Sequence, residues 1–411
     1  MALNTASAVG GDAWGGIPPF WRNRAAVGRG LVSLGVITVC VVLAMGLHGT
    51  SGRGAPSSFS LMSGLLFGIL LERGRFCFYC ILRDFIVYRN SSPLLSVVVA
   101  LAVGGVGYVI VFETFLANPL AGRLPPDAHI GPVSWATVLA GLAFGVGMAL
   151  SGACLSGHLY RLGEGYARAP IALFGSLIGF GLGFLTWQTF YQETIANAPI
   201  AWLPATFGYT GALVVHLLVL GALALGLLRY IQPLKPSEGG RVTLARLYDT
   251  VFVQRWNPIL TGALVGVLGV FAYLRVEPLG VTAQLGSVSR TFMHDMGWLD
   301  GRLNGLDRFA GCATVVVQAI TDNGLFIGAL VAGSFAMALL ANKFQVSRLT
   351  VKNSATALLG GVLMGWGAML ALGCTVGTLL SGISAFALSG WVFAGATFLG
   401  VWLGIKLKLV E

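Results

Sequence analysis

Charge is scarce in this chain. Asp, Glu, Lys and Arg make up 10% of its 411 residues, where a soluble domain carries about 25%. So little polar surface cannot coat a water-soluble body, which excludes soluble enzymes and nucleic-acid-binding domains together. The six cysteines are too few and too apolar in setting for a secreted disulfide scaffold. The phosphate-binding pattern G-x4-G-K-[ST] is absent, which argues against ATP-driven transport by this chain alone. Residues 1–19 lack the basic start and apolar core of a signal peptide and read as a retained tail. What the chain has instead is 56% apolar residues, 59 glycines and a mean hydropathy of +0.83. The expected class is an all-α polytopic membrane protein.

A span needs about 20 mostly apolar residues. Ten segments qualify: 30–48, 60–72, 92–116, 133–153, 169–190, 208–230, 257–274, 320–341, 354–373 and 389–408. Three of them look broken. Segment 60–72 runs into Glu72, Arg73 and Arg75 and resumes at Phe76, while 133–153 and 354–373 end in Gly- and Cys-containing interruptions followed by more apolar residues. Irregular backbone inside a membrane is tolerated only where it faces protein or an aqueous path.

The 25 basic residues exceed the 15 acidic ones, and their distribution predicts sidedness. If all ten segments cross, only Arg53, Arg123, Arg275, Arg290, Arg302 and Arg308 lie on one side, and the other nineteen lie with both termini. Basic loops mark the cytoplasmic face, so both termini are expected inside. The chain divides into a tail (1–28), a first transmembrane half (29–231), a linker (232–256) containing P-L-K-P-S-E-G-G at 233–240, and a second half (257–411) with an amphipathic region at 275–319.

Residues 141–160 and 361–380 align without gaps at an offset of 220, with seven identities in twenty, including Cys154/Cys374 and Gly157/Gly377. The shared pattern is G-x3-G-x-G…C-x2-G. The two copies run in opposite senses across the membrane, as in inverted repeats whose broken helices meet near the midplane at a substrate site. A fainter echo relates 64–78 to 328–344.

Where a glycine-rich helix stops and a new segment starts, free N–H groups suit an anion. A cysteine there adds a weak S–H donor on a soft atom. A fixed midplane cation would bind an anion too firmly, whereas conduction needs sites that release. Cys154 and Cys374 are therefore the principal candidates for a transport path, above all for an anion with a terminal sulfur. Gly157 and Gly377 belong to the same motifs. Cys77 reads as a pore-lining or entrance thiol, with Arg75 either drawing an anion toward it or simply marking the cytoplasmic boundary. His158 and Cys312 (A-G-C-A-T) are further path candidates, each also compatible with a packing role. Cys77-Phe-Tyr-Cys80 is a C-x-x-C without a second pair or ligand-spaced His or Asp, so no metal or cofactor is expected. Asp322 and Asn323 are expected to cap the segment that follows them.

The motifs G-R-F-C-F (74–78), G-V-G-M-A-L-S-G-A-C-L-S-G-H-L-Y-R-L-G-E-G (145–165) and G-W-G-A-M-L-A-L-G-C-T-V-G-T-L-L-S-G-I-S (365–384) resemble those of the YeeE/YedE family of bacterial inner-membrane proteins, over roughly 60–408. The resemblance implies thiosulfate uptake through an hourglass-shaped path, with Cys77, Cys154 and Cys374 as substrate-contacting thiols that relay the anion by S–H hydrogen bonds. It also implies a small TusA-like cytosolic sulfurtransferase as partner. Some family members are associated with selenium compounds. The first copy departs from the family's pattern in placing Ala153 before its cysteine. A membrane thiol-redox protein using Cys77 and Cys80, and a non-transporting scaffold for a sulfurtransferase, remain the alternative readings.

Overall fold

The computed structural model describes residues 24–49, 54–231, 244–300, 302–306, 316 and 319–408. Cys312, the 233–240 linker and most of the N-terminal tail lie outside them. Among the described residues the chain is helical, with a single isolated β-bridge between Trp202 and Ala387. The first part comprises α1 (Arg24–His48), α2 (Gly54–Gly74), α3 (Phe78–Tyr88), α4 (Ser92–Phe115), α5 (Trp135–Ser151), α6 (Leu155–Gly163), α7 (Arg168–Phe190) and α8 (Pro204–Leu228). After the short α9 (Leu244–Tyr248) come α10 (Pro258–Arg275), α11 (Ala283–Asp295), α12 (Asp322–Leu340) and α13 (Val351–Leu370). A π-helical turn (Thr375–Ser381), the three-residue α14 (Gly382–Ser384) and α15 (Leu388–Lys406) complete the described chain.

Nine helices among the described residues are long and apolar enough to span a membrane, and α13 with the bent segment 375–384 makes a tenth, turned by 43°. Each of the ten apolar segments read from the sequence falls on one long helix. In α1 and α8 only 22% of the span is buried, against 44–61% in the other seven of the nine. These two helices therefore sit at the periphery. Their exposed Leu31, Leu34, Leu218 and Leu225 present the apolar surface that lipid requires.

The inner helices obey an exchange rule. Swapping α2–α7 with α10–α15 preserves the pairings: α2 packs on α12 as α10 packs on α4, and α7 packs on α13 as α15 packs on α5. The smaller helices follow the same rule, with α3 meeting α15 as α11 meets α7. Between α5 and α13, Gly147 faces Gly360 while Gly367 faces Ala140, so these helices are antiparallel. That is the geometry expected of an inverted repeat. The fainter echo between 64–78 and 328–344 is not part of it. Those segments, on α2 and α12, are contact partners, each offering small residues to the other, and the exchange counterpart of α2 is α10.

Glycine sets the depth of these contacts. Gly175 and Gly179 of α7 lie directly on the carbonyls of Leu358 and Val362 in α13, which returns Gly361 and Gly365 to Ala172 and Ser176. Gly64 and Gly68 meet Phe326 and Leu330 in the same way, and Gly262 and Gly266 meet Ser96 and Ala100. Lipid tails give apolar helices no hydrophobic reason to associate, so close backbone packing must hold them together.

Two local expectations are corrected. The cap of α12 is Thr321, whose hydroxyl accepts from the Gly324 N–H. Asp322 instead accepts from Ser57, and Asn323 reaches back to the Gly280 carbonyl. Arg290 is no loop cation, because α11 carries it to 2% exposure against the bundle.

Candidate functional site

Three helix breaks share one local design. α2 gives way to α3 at Arg75 (φ 53), α5 to α6 at Gly152 (φ 83), and α13 to the π-turn at Leu372 (φ 56). A left-handed residue ends a helix by turning its carbonyls off the axis. In each break a cysteine follows two residues later, in extended backbone, as the cap of the next helical segment: Cys77, Cys154 and Cys374. All three are fully buried. At offset 220 the two repeat copies place Gly152 and Leu372 in the same conformation. The repeat therefore preserves the backbone break where it does not preserve the glycine.

The caps orient the sulfurs. Cys154 Sγ accepts from the Gly157 N–H at 3.3 Å and Cys374 Sγ from the Val376 N–H at 3.4 Å. A sulfur held as acceptor by a helix N-terminus has its S–H left to donate. Cys77 makes no cap bond. Its sulfur lies 3.8 Å from that of Cys154. Gly157 makes this approach possible, since a Cβ there would stand 2.7 Å from Cys77 Sγ and 3.3 Å from Cys154 Sγ.

Cys374 has a different neighbourhood. The counterpart of Cys77 in the second half is Thr282, the cap residue of α11, and its hydroxyl faces the Cys374 thiol. The first half thus pairs thiol with thiol, and the second pairs thiol with hydroxyl. Gly377 serves His129 as Gly157 serves Cys77: a Cβ at Gly377 would stand 3.0 Å from His129 Nε2, and one at Gly373 would stand 2.8 Å from Cε1. Sequence reading missed His129 and Thr282. Both lie on connections outside the repeated motif, and one histidine in P-P-D-A-H-I-G-P carries no periodic signal.

Burial pushes the His129 imidazole down to about 4. Between pH 4 and 6.5 the unfolded chain therefore binds a proton that the native protein refuses, so stability rises with pH across that window. The contribution is complete above about pH 6.5 and amounts to up to about 3 kcal/mol. In thermal unfolding of the purified protein, His129→Asn is expected to flatten this pH dependence. An unchanged slope would show that the imidazole is not held neutral.

The remaining candidates separate. Arg75 lies 2.9 Å from Glu164, which is 3% exposed at its side chain, so its charge is matched within the protein. His158, one turn beyond Cys154, is buried, with Nε2 lacking a hydrogen-bond partner. Cys80 accepts from Arg161 Nη2 at 3.0 Å. Glu72 and Arg73, both buried, bind each other, and Arg73 also donates to the Phe252 carbonyl. Among the described residues no cluster of three His, Cys, Asp or Glu is placed to hold a metal ion.

Duplicated antiparallel halves, apolar helices broken inside the bundle and buried thiols at each break define a polytopic membrane transporter built on an inverted repeat. The chain belongs to the family described as Sulphur transport, which it matches over residues 73–403. It is 28% identical over 356 residues to the thiosulfate transporter TsuA of Escherichia coli K12, covering 85% of this chain and 94% of that protein. To TsuA of Spirochaeta thermophila it is 28% identical over 364 residues, covering 83% and 96%. The probable transporter YedE of Escherichia coli K12 is 37% identical over a shorter stretch of 167 residues, covering 40% and 39%.

Proposed function

We propose that this protein takes up thiosulfate, or a closely related sulfur anion, across the bacterial inner membrane, with both termini in the cytoplasm. The carrying observation is the buried pair of Cys77 and Cys154, 3.8 Å apart at a helix break, with Cys374 at the equivalent break of the inverted half. Thiols are neutral, so they bind a divalent anion without the several kcal/mol that a midplane cation costs. Each can donate an S–H to oxygen or to the terminal sulfur and let go again. In this reading the anion passes from Cys374 and Thr282, on the His129 side, to Cys154 and Cys77, and no covalent bond is made. Gly157 keeps space beside the Cys77 and Cys154 thiols, and Gly377 keeps it beside His129. The relatives named thiosulfate transporters support the substrate. The excess of basic residues on one side supports the orientation. Consumption by a cytosolic TusA-like sulfurtransferase would draw the anion inward.

Uptake of labelled thiosulfate in bacteria lacking their own sulfate and thiosulfate importers tests this. Wild type is expected to accumulate label, with sulfate a poor competitor because it lacks the terminal sulfur. Cys80→Ala is expected to retain uptake. Absence of wild-type uptake even with a TusA-like protein co-expressed would overturn the substrate, and selenium compounds would then be the next to test. A thiol-redox role draws on the same 3.8 Å approach and makes the opposite prediction, that activity fails with Cys80→Ala.

A further inference from the structure

The two exchange-related breaks share a backbone design and differ in one side-chain atom. The Thr282 hydroxyl faces Cys374, whereas the Cys77 thiol faces Cys154. A hydroxyl therefore suffices as the second hydrogen-bonding group of a break. A thiol in that place adds a property the relay does not use, which is that the pair can be oxidised. The geometry favours this for Cys77 and Cys154. Both are free, and their sulfurs are 3.8 Å apart. Cys77 precedes α3 without a cap bond, so its side chain can turn. Cys154 Sγ is fixed in place, with the Gly157 N–H at 3.3 Å and Ser156 Oγ also at 3.3 Å. The missing side chain of Gly157 leaves both sulfurs room. Cys80 also faces Cys77, but Arg161 Nη2 donates to its sulfur at 3.0 Å and ties it to α6.

We propose that Cys77 and Cys154 are a modification site, at which a polythionate, the oxidised form of the carried anion, makes a disulfide that closes the path. The inference rests on the transport reading for the oxidant's access and for the consequence, but not for the proximity of the thiols. Tetrathionate is two thiosulfates joined through their terminal sulfurs. Its sulfonate ends are no wider than that of thiosulfate, so a path that takes thiosulfate end-on leads tetrathionate to the same thiols. The Cys77 sulfur, losing its proton, attacks one of the two central sulfurs. A bond forms between them, the central S–S bond breaks and one thiosulfate leaves. The Cys154 sulfur then loses its proton, attacks Cys77 Sγ and expels the second thiosulfate. The two thiols are oxidised by two electrons, the central S–S bond takes them up, and two protons pass to solvent. Both S–H donors of that break are then gone, and the relay stops. At Cys374 the same attack ends at its first step, because the Thr282 hydroxyl does not displace the second thiosulfate.

The test uses the purified full-length protein in liposomes, reduced and then treated with tetrathionate. Peptide mapping after alkylation of the remaining thiols is expected to show Cys77 joined to Cys154 in most chains, in wild type and in Cys80→Ala alike. Thiosulfate uptake is expected to fall at least tenfold. Excess thiosulfate reverses a mixed adduct by the same exchange, but not a disulfide whose two sulfurs are held together in one fold. The wild-type block is therefore expected to persist in excess thiosulfate and to lift with dithiothreitol. Cys77→Ser is expected to carry the adduct on Cys154 and to lose it in thiosulfate alone, as read by mass spectrometry. No Cys77–Cys154 cross-link in wild type, a Cys77–Cys80 disulfide in its place, or full uptake by cross-linked protein overturns the proposal. A cross-link formed in protein that takes up no thiosulfate even before treatment would leave the modification site standing and count against the transport reading alone.

Discussion

Cys154→Ala is expected to lower thiosulfate uptake ten- to a hundredfold at matched membrane expression. The thiol is fully buried, accepts from Gly157 and faces the Cys77 sulfur. On the proposed path its removal takes away one hydrogen bond to the anion, a loss of about 1.5–3 kcal/mol, or roughly 10- to 150-fold by the exponential relation between energy and rate. Cys154→Ser keeps a cap oxygen and an O–H donor, as Thr282 already supplies opposite Cys374, and is expected to restore part of the rate. Cys374→Ala should resemble Cys154→Ala, because the two breaks are exchange-related. Full uptake by Cys154→Ala, in cells where the wild type is active, would remove that thiol from the path. Equal loss in the serine and alanine variants would point to a need for sulfur itself.

Gly365→Ala is expected to be the more damaging change for the fold. A methyl at this position would overlap the Ser176 carbonyl oxygen of α7 and crowd the Phe180 amide at 2.9 Å. Backbone cannot step aside as a side chain does, so α13 and α7 must part. The cost lies at or above the upper end of the 1–3 kcal/mol typical of overpacking. Gly145→Ala tests the symmetric contact, where the Thr397 carbonyl occupies the same place. Gly395→Ala is the control. It lies within α15 with nothing near its missing Cβ, and relief of backbone entropy is expected to raise stability by about 0.5–1 kcal/mol. Thermal unfolding in detergent reads all three. An unaltered Gly365→Ala protein would mean that the helices are not packed this closely.

Much of the architecture was legible because the bilayer imposes a simple demand. Spans must be long and apolar, and ten such segments could be counted. The breaks at 75–77, 152–154 and 371–374 were visible as glycine, cysteine and charge interrupting apolar runs. The duplication was legible only where twenty residues retained a common pattern. The rest of the repeat, α2–α4 against α10–α12, had diverged in sequence while keeping its contacts. Arg75 and Glu164 illustrate the limit. They are 89 positions apart, and an arginine beside a thiol looked like an attractor of anions until its partner was located.

The amino-acid sequence by itself determined the class of protein, the spans, their breaks and the three cysteines, because each follows from local hydropathy and local backbone chemistry. Only the tertiary structure decided which thiols meet. It put Cys77 on Cys154 and gave Cys374 a hydroxyl neighbour, with His129 across Gly377. It also brought Arg161 onto Cys80 and Arg75 onto Glu164. The physical reason is that contact between distant segments is set by how deeply glycine lets helices approach, and that depth depends on the partner helix, which no local pattern specifies.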